Sequence, residues 1–264
     1  MSDFFTSLIA LQPFASKTTG KAVERIQGIS PGTKKGLYAE RTSAFGGKLP
    51  STLVNGLQAY WNLDANGNAQ VGPWNETDVG FGLQYSHIAG KVGSGAHQHH
   101  IFAGFGLAMQ KATPPYTLSL PRPYSLTCWF KAFNDTQTFG AGILMGTALG
   151  LSTNLYVVTG SAGFVRVNIG GTPAPTDYPI SVWHNVVVTA PTSGNPQIYV
   201  NGALAGSGGV LDPFVLSVVG GGYNNQAFIG DIDEVGAWNR VLTSTEIAEL
   251  YNGGTGTSYP FGTS

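Results

Sequence analysis

Charge is what this sequence has least of. Asp, Glu, Lys and Arg make up 10% of its 264 residues, against about 25% in an ordinary globular chain, so long surface helices laced with ion pairs are excluded. The charges that exist nearly cancel, 13 basic against 14 acidic for a formal −1, which leaves the chain as a whole no electrostatic attraction for nucleic acid. The single cysteine, Cys128, excludes an internal disulfide and any multi-cysteine zinc or iron–sulfur site. Gly, Thr or Pro interrupts every apolar run before it reaches the ~18 to 20 residues of a membrane helix, so no membrane partner is expected. The opening segment MSDFFTSLIALQPFASKTTGK carries an acid ahead of its apolar patch, where a secretory signal carries bases. Synthesis in a reducing cytoplasm is the expectation.

Glycine and small polar residues take the place of charge. The 38 Gly are roughly twice the usual share, and the hydrophobic content of 42% is too high for a disordered chain. Short strands joined by Gly-rich turns fit that balance. What charge there is lies unevenly: residues 1–50 hold 7 Lys/Arg and 3 Asp/Glu, a balance of +4, while residues 51–264 hold 6 and 11, a balance of −5. The basic segment is punctuated by GISPGTKKG and SAFGGKLPS and reads as an extended N-terminal arm over 1–53, ordered by something outside itself. Phe4, Phe5, Leu8, Ile9, Leu11 and Phe14 are too apolar for a tail left in water. The arm is therefore expected to anchor on a partner, with Lys17, Lys21, Arg25, Lys34 and Lys35 facing an acidic surface; the plain alternative is a loose tail with a dispensable charge bias.

From about Val54 the pattern changes to alternating segments of five to eight residues between turn residues, the grammar of an antiparallel β-sandwich. In YSLTCWFKAF, Leu126, Cys128 and Phe130 fall on one face and Thr127, Trp129 and Lys131 on the other, so both faces have something to bury. Asn201-Gly202 between apolar runs predicts a hairpin with a type I′ turn, because both residues accept positive φ. One helix is predicted: Thr243 and Glu246 form a capping box, Leu242 and Ile247 staple it, and the helix starts near Ser244 and stops at Asn252-Gly253.

Read together, GLQAYWNLD, GKVGSGA, YSLTCWFKAF, VWHNVVVT, IYVNG and GDIDEVGAWNRVLTSTEIAELYN resemble the laminin-G-like jelly roll of the concanavalin-type lectin/glucanase superfamily. The resemblance covers about residues 54–252. It implies a concanavalin-like fold of two stacked antiparallel sheets, a mostly non-catalytic role, and carbohydrate or protein binding at loops or the concave face. The segment LYNGGTGTSYPF, which runs into the C-terminal tail (253–264), is similar to chains of this family found among phage virion proteins.

Glucanases share that fold, so catalysis needs a test. Two carboxyl groups about 5 to 5.5 Å apart serve retention, and about 6.5 to 9.5 Å apart serve inversion; on a strand the glucanase pattern places carboxylates at i, i+2 and i+4. Here Asp231 and Asp233 point one way, the third place is Val235, and Glu234 is expected to face the opposite side. Asp231 and Glu234 are instead assigned to closing the sandwich edge through backbone hydrogen bonds. His97 and His99 would share a strand face about 7 Å apart, near enough to chelate a transition metal once another ligand is found. Calcium fits the fold better, with Asp64, Asn66, Asn75, Asp78, Asp231 and Asp233 as candidate ligands, although no cofactor is required. For sugar, Trp74, Tyr85, Tyr223, Asn224 and Asn225 offer an aromatic platform with amides beside it.

The functional expectation is a non-enzymatic phage virion protein at the particle surface, most simply a capsid decoration protein. Its partners would be capsid or other virion proteins and further copies of itself in a closed oligomer such as a trimer. The alternative is a tail or fibre module that binds host-surface carbohydrate.

Overall fold

The computed structural model describes residues 51–64, 69–72, 86–93, 96–99, 109–110, 117–135, 141–147, 151–220 and 228–262. Phe4, Phe5, Leu8, Ile9, Lys17, Lys21, Arg25, Lys34 and Lys35 of the arm lie outside them. Pro50–Ser264 forms one compact unit.

β6 (Tyr124–Ala132) is buried along nearly its whole length, as an apolar strand covered on both faces should be. It lies inside an eight-stranded antiparallel sheet, between β12 (His184–Ala190) and β17 (Gly230–Trp238). Outside β12 come β13 (Gln197–Val200) and β14 (Ala203–Ser207). On the far side of β17, β3 (Ala96–His99) pairs with its first half and β1 (Leu57–Trp61) with its second, and β2 (Ser86–Ile88) borders β3. A second sheet runs β10 (Thr172–Pro173), β9 (Phe164–Ile169), β8 (Leu155–Thr159), β7 (Ala141–Gly146), β16 (Val218–Val219), β4 (Met109–Gln110), with β11 (Tyr178–Pro179) also on β9. A short ribbon joins β5 (Leu118–Leu120) to β15 (Phe214–Leu216). The two main sheets stack: Leu126, Cys128, Phe130, Val186, Val188 and Ile232 from one meet Met145, Leu155, Val157, Val165, Val167 and Ile169 from the other in a single core. The unit Pro50–Ser264 is thus the all-β, two-sheet antiparallel sandwich that the strand pattern predicts, of the jelly-roll type that the resemblance implies. The β13–β14 turn carries Asn201 at φ 53° and Gly202 at φ 77°, the backbone of the expected hairpin.

Alternation leaves Thr127, Val187, Gly236 and Trp238 on the outer face of the eight-stranded sheet, and α1 (Ser244–Tyr251) packs on Val187 and Trp238. Thr243 caps α1 by accepting from the Glu246 amide at 3.3 Å while its own amide donates to Glu246 Oε2 at 2.8 Å. Asn252, left-handed at φ 46°, ends it. A helix of roughly two turns does not hold in water by itself. Ile247 and Leu250 are buried with Leu53, Tyr60, Val187, Trp238, Leu242 and Phe261 in a second cluster, and that docking holds the helix in place. Gly236 permits it, because a Cβ there would come 2.7 Å from the Trp238 ring and 2.9 Å from the Tyr60 ring. Trp238 Nε1 donates to the Leu53 carbonyl at 2.6 Å, and the Phe261 ring stands edge-on to Tyr60 at 5.1 Å. Packed residues therefore extend from Leu53 to Phe261, so the residues just past 252 share in the folded unit. Among the described residues no helix is long and apolar enough to cross a membrane.

Candidate functional site

The acidic residues of β17 are placed by its pleat and by one interruption of it. Asp231 stands opposite Lys131, Ile232 opposite Phe130 and Asp233 opposite Trp129. Since Ile232 belongs to the inter-sheet core, Asp231 and Asp233 share the outer face, as expected. The register then slips, with Gly236 opposite Thr127, and Glu234 takes a left-handed φ of 51°. This is a β-bulge, one extra residue on the bulged strand. Val235 and Ala237 thereby return to the core, and Glu234 comes beside Asp233. The expectation that Glu234 faces the opposite side is corrected: the bulge resets the alternation. A trace of it is visible in the sequence, where apolar residues recur at 232, 235 and 237, a step of three followed by a step of two.

Each carboxylate has its own partner. Asp231, fully buried, pairs with the Lys131 amine at 2.5 Å. Asp233 Oδ2 accepts from the Lys91 and Val92 amides at 2.8 and 3.0 Å, and its Oδ1 accepts from the Glu234 amide at 2.9 Å. These bonds pin the GKVG turn. Asp64 closes on the same turn, for a Cβ at Gly93, φ 69°, would fall 2.2 Å from its Oδ1; Asn62 Nδ2 steadies Asp64 at 2.7 Å. Glu234 accepts from the Tyr60 hydroxyl. The expected edge-closing role of Asp231 and Glu234 is also corrected. β17 is an interior strand, both residues are held by side chains, and Asp233 is the one that binds the backbone of another segment.

Burial pushes the Glu234 carboxyl up to about 9, and the neighbouring Asp233 carboxylate adds to the push. Asp233 is raised to about 7 by burial against the opposing pull of its three amide donors. Burial and the Glu234 charge raise the Tyr60 hydroxyl well above its ordinary value. Adjacent carboxyls with displaced pKa values are what acid–base catalysis uses. A general acid or nucleophile must also touch its substrate, and here Asp233 is 0% and Glu234 2% exposed.

Of the other candidates, Asp64 reaches the same turn, Asn66, Asn75 and Asp78 lie outside the described residues, and the histidines take other register positions. His97 stands opposite Ile232 and His99 opposite Gly230, while Gln98 stands opposite Asp231; the histidines and the acids occupy alternate register positions. Trp74, Tyr85, Tyr223, Asn224 and Asn225 lie outside the described residues. Among the described residues no group of three or more His, Cys, Asp or Glu side chains is arranged to hold a metal ion. Cys128 is sealed in the core, and burial raises its thiol, so it is not a reactive nucleophile.

One cluster was not anticipated. The Lys131 amine lies 5.1 Å from the centre of the Trp183 ring and 5.4 Å from that of Phe133, at a corner of the outer face where Trp183 and Phe133 are both partly exposed. Strand alternation cannot reveal it, because Trp183 precedes β12 in a segment without periodic pattern.

Residues 109–248 match the Laminin_G_3 family model, described as the concanavalin A-like lectin/glucanases superfamily. The chain belongs to that superfamily. Domain 4 of AbnA, a GH43 extracellular arabinanase from Geobacillus stearothermophilus solved in complex with arabinotriose, superposes with a TM-score of 0.54 at 17% identity, over 74% of this chain and 98% of that domain. A sialidase from Trypanosoma rangeli gives a TM-score of 0.48 at 19% identity, over 81% of this chain and 35% of its own. The SAP-like pentraxin of Limulus polyphemus gives 0.40 at 16%, over 56% and 79%. At such identities the likeness to the arabinanase domain is one of fold. No curated protein matches the sequence.

Proposed function

We propose that the chain is a non-enzymatic virion structural protein of a phage, a capsid decoration protein that displays its lectin-like sandwich on the particle and grips the shell through residues 1–53. The observation that carries the non-enzymatic part is the engagement of the β17 acids: Asp231, Asp233 and Glu234 are buried and bonded to Lys131, to the Lys91–Val92 amides and to Tyr60. What supports attachment by the arm is its composition. Burying a large apolar side chain is worth about 1.5 to 3 kcal/mol, so half of Phe4, Phe5, Leu8, Ile9, Leu11 and Phe14 would outweigh several rim ion pairs at about 0 to 1 kcal/mol each. Its Lys/Arg residues then steer and register the arm on an acidic face. Ordering a long segment costs conformational entropy, which a closed homo-oligomer such as a trimer offsets by multiplying contacts. The test is binding of the full chain, and of a chain beginning at Ser51, to phage heads that lack tails. Only the full chain should bind; equal occupancy by the shorter chain would overturn attachment by the arm.

A second reading is a tail or fibre module that binds host-surface carbohydrate. It is favoured by the fold shared with nearly the whole of an arabinanase domain that was solved with a sugar bound. Binding on a sugar array with no affinity for heads would select it.

A further inference from the structure

We propose that Trp183, Phe133 and the Lys131–Asp231 ion pair form a subsite for one uncharged sugar ring, an inference that rests on the carbohydrate-binding reading above. The fold itself brings these groups together. His184 pairs with Phe130, and the Ser181 amide donates to the Ala132 carbonyl at 2.6 Å, so Trp183 is held beside Lys131. On β17, Asp231 stands opposite Lys131. Phe133 follows Lys131 by two residues, on the same side of the extended chain.

Three features separate this corner from packing. Trp61, Trp129 and Trp238 are buried, whereas Trp183, the remaining described tryptophan, keeps part of its surface in water beside Val182, which is 49% exposed. A ring partly in water offers surface on which the C–H face of a sugar can stack, and a small number of fixed polar groups then sets its orientation. Second, the Lys131 amine is held by a carboxylate that is itself fully buried. An ammonium has three donors. With Asp231 and two rings fixing its position, it is a pre-oriented donor for a hydroxyl, and little freedom is lost when it binds. Third, the pair is electrically neutral, so among the described residues this cluster does not select a carboxylate or phosphate. The chemistry recognised is that of hydroxyl groups around an apolar ring face.

The experiment titrates the full chain with maltotriose, cellotriose, xylotriose, triacetylchitotriose and, as the charged comparison, trigalacturonate, following tryptophan fluorescence and calorimetric heat. At least one neutral trisaccharide should bind at millimolar strength and quench fluorescence. Trp183→Ala and Lys131→Met should each weaken it by about tenfold or more, with Trp183→Phe between wild type and alanine. Near-UV circular dichroism of each variant checks that the core is intact. If Trp183→Ala binds the same sugar as well as wild type, the subsite is refuted while carbohydrate binding stands. If no neutral trisaccharide binds wild type, the inference and the reading beneath it both fail. Tighter binding of trigalacturonate than of every neutral sugar would overturn the assignment to uncharged rings.

Discussion

The outer face of the eight-stranded sheet is finished differently at its two ends. Under α1, Val187 and Trp238 are closed over by Leu250, Leu53 and Phe261, and the polar groups there serve the fold: Arg240 bonds Glu246 and the Thr52 and Asn55 carbonyls. At the other end the chain provides less cover. Trp183, Phe133 and Lys131 lie against one another and each stays partly exposed. The contrast teaches how to read acids in this fold. Asp233 and Glu234, which look catalytic by their pKa values, are sealed inside, while the partly exposed corner at Trp183 contains an ordinary ion pair.

Replacing one tryptophan at each end should separate the two most sharply. Trp238→Ala removes a fully buried ring and its bond to Leu53 and should cost about 3 to 5 kcal/mol, measured by chemical unfolding. Trp183→Ala should cost about 0.5 to 1 kcal/mol, the scale of one exposed cation–π contact. Equal losses would erase the distinction between the ends.

A smaller effect is expected along the pH axis. Glu234 has a folded pKa of about 9 against an ordinary 4.5, so between those values the folded chain keeps a proton that the unfolded chain has released. Stability should fall as pH rises through that window, and the raised Asp233 adds to the fall up to about 7. Glu246 acts in the opposite sense. Burial pushes it up, but bonds from Arg240, Thr52 and Thr243 win and lower it to about 2, so its contribution is lost as pH falls from about 4.5 toward 2. Thermal unfolding across pH 3 to 9 should therefore peak near the middle of the acid range, and Glu234→Gln should flatten the alkaline limb without moving the acid one. A limb unchanged in that variant would mean that Glu234 is not the group that titrates.

Much of the fold was legible because its signals are local. Thr243 and Glu246 name a helix start through their own hydrogen bonds, Asn201-Gly202 names a turn through its backbone, and alternation in YSLTCWFKAF names a strand buried on both faces. The bulge at Glu234 was not read, since it follows from how β17 pairs with two strands distant in sequence, and only the spacing 232, 235, 237 records it. Asp231 and Asp233 were correctly placed on one face, yet their partners Lys131 and the Lys91–Val92 amides come from other strands and turns. The corner at Trp183 was missed for the same reason: nothing in VWHN says that Lys131 will lie against its ring.

The central proposal is that the acids of β17 serve the fold and not a reaction. The melting temperature of Asp233→Ala tests it most directly, because a residue kept for function can be removed without loss of stability, whereas one that pins a turn cannot. The account predicts a destabilisation of about 1 to 3 kcal/mol from the Lys91 and Val92 amides left without their acceptor, seen as a melting temperature lower by about 2 to 4 °C for each kcal/mol. An unchanged or higher melting temperature would contradict it and return Asp233 to the list of candidate catalytic groups.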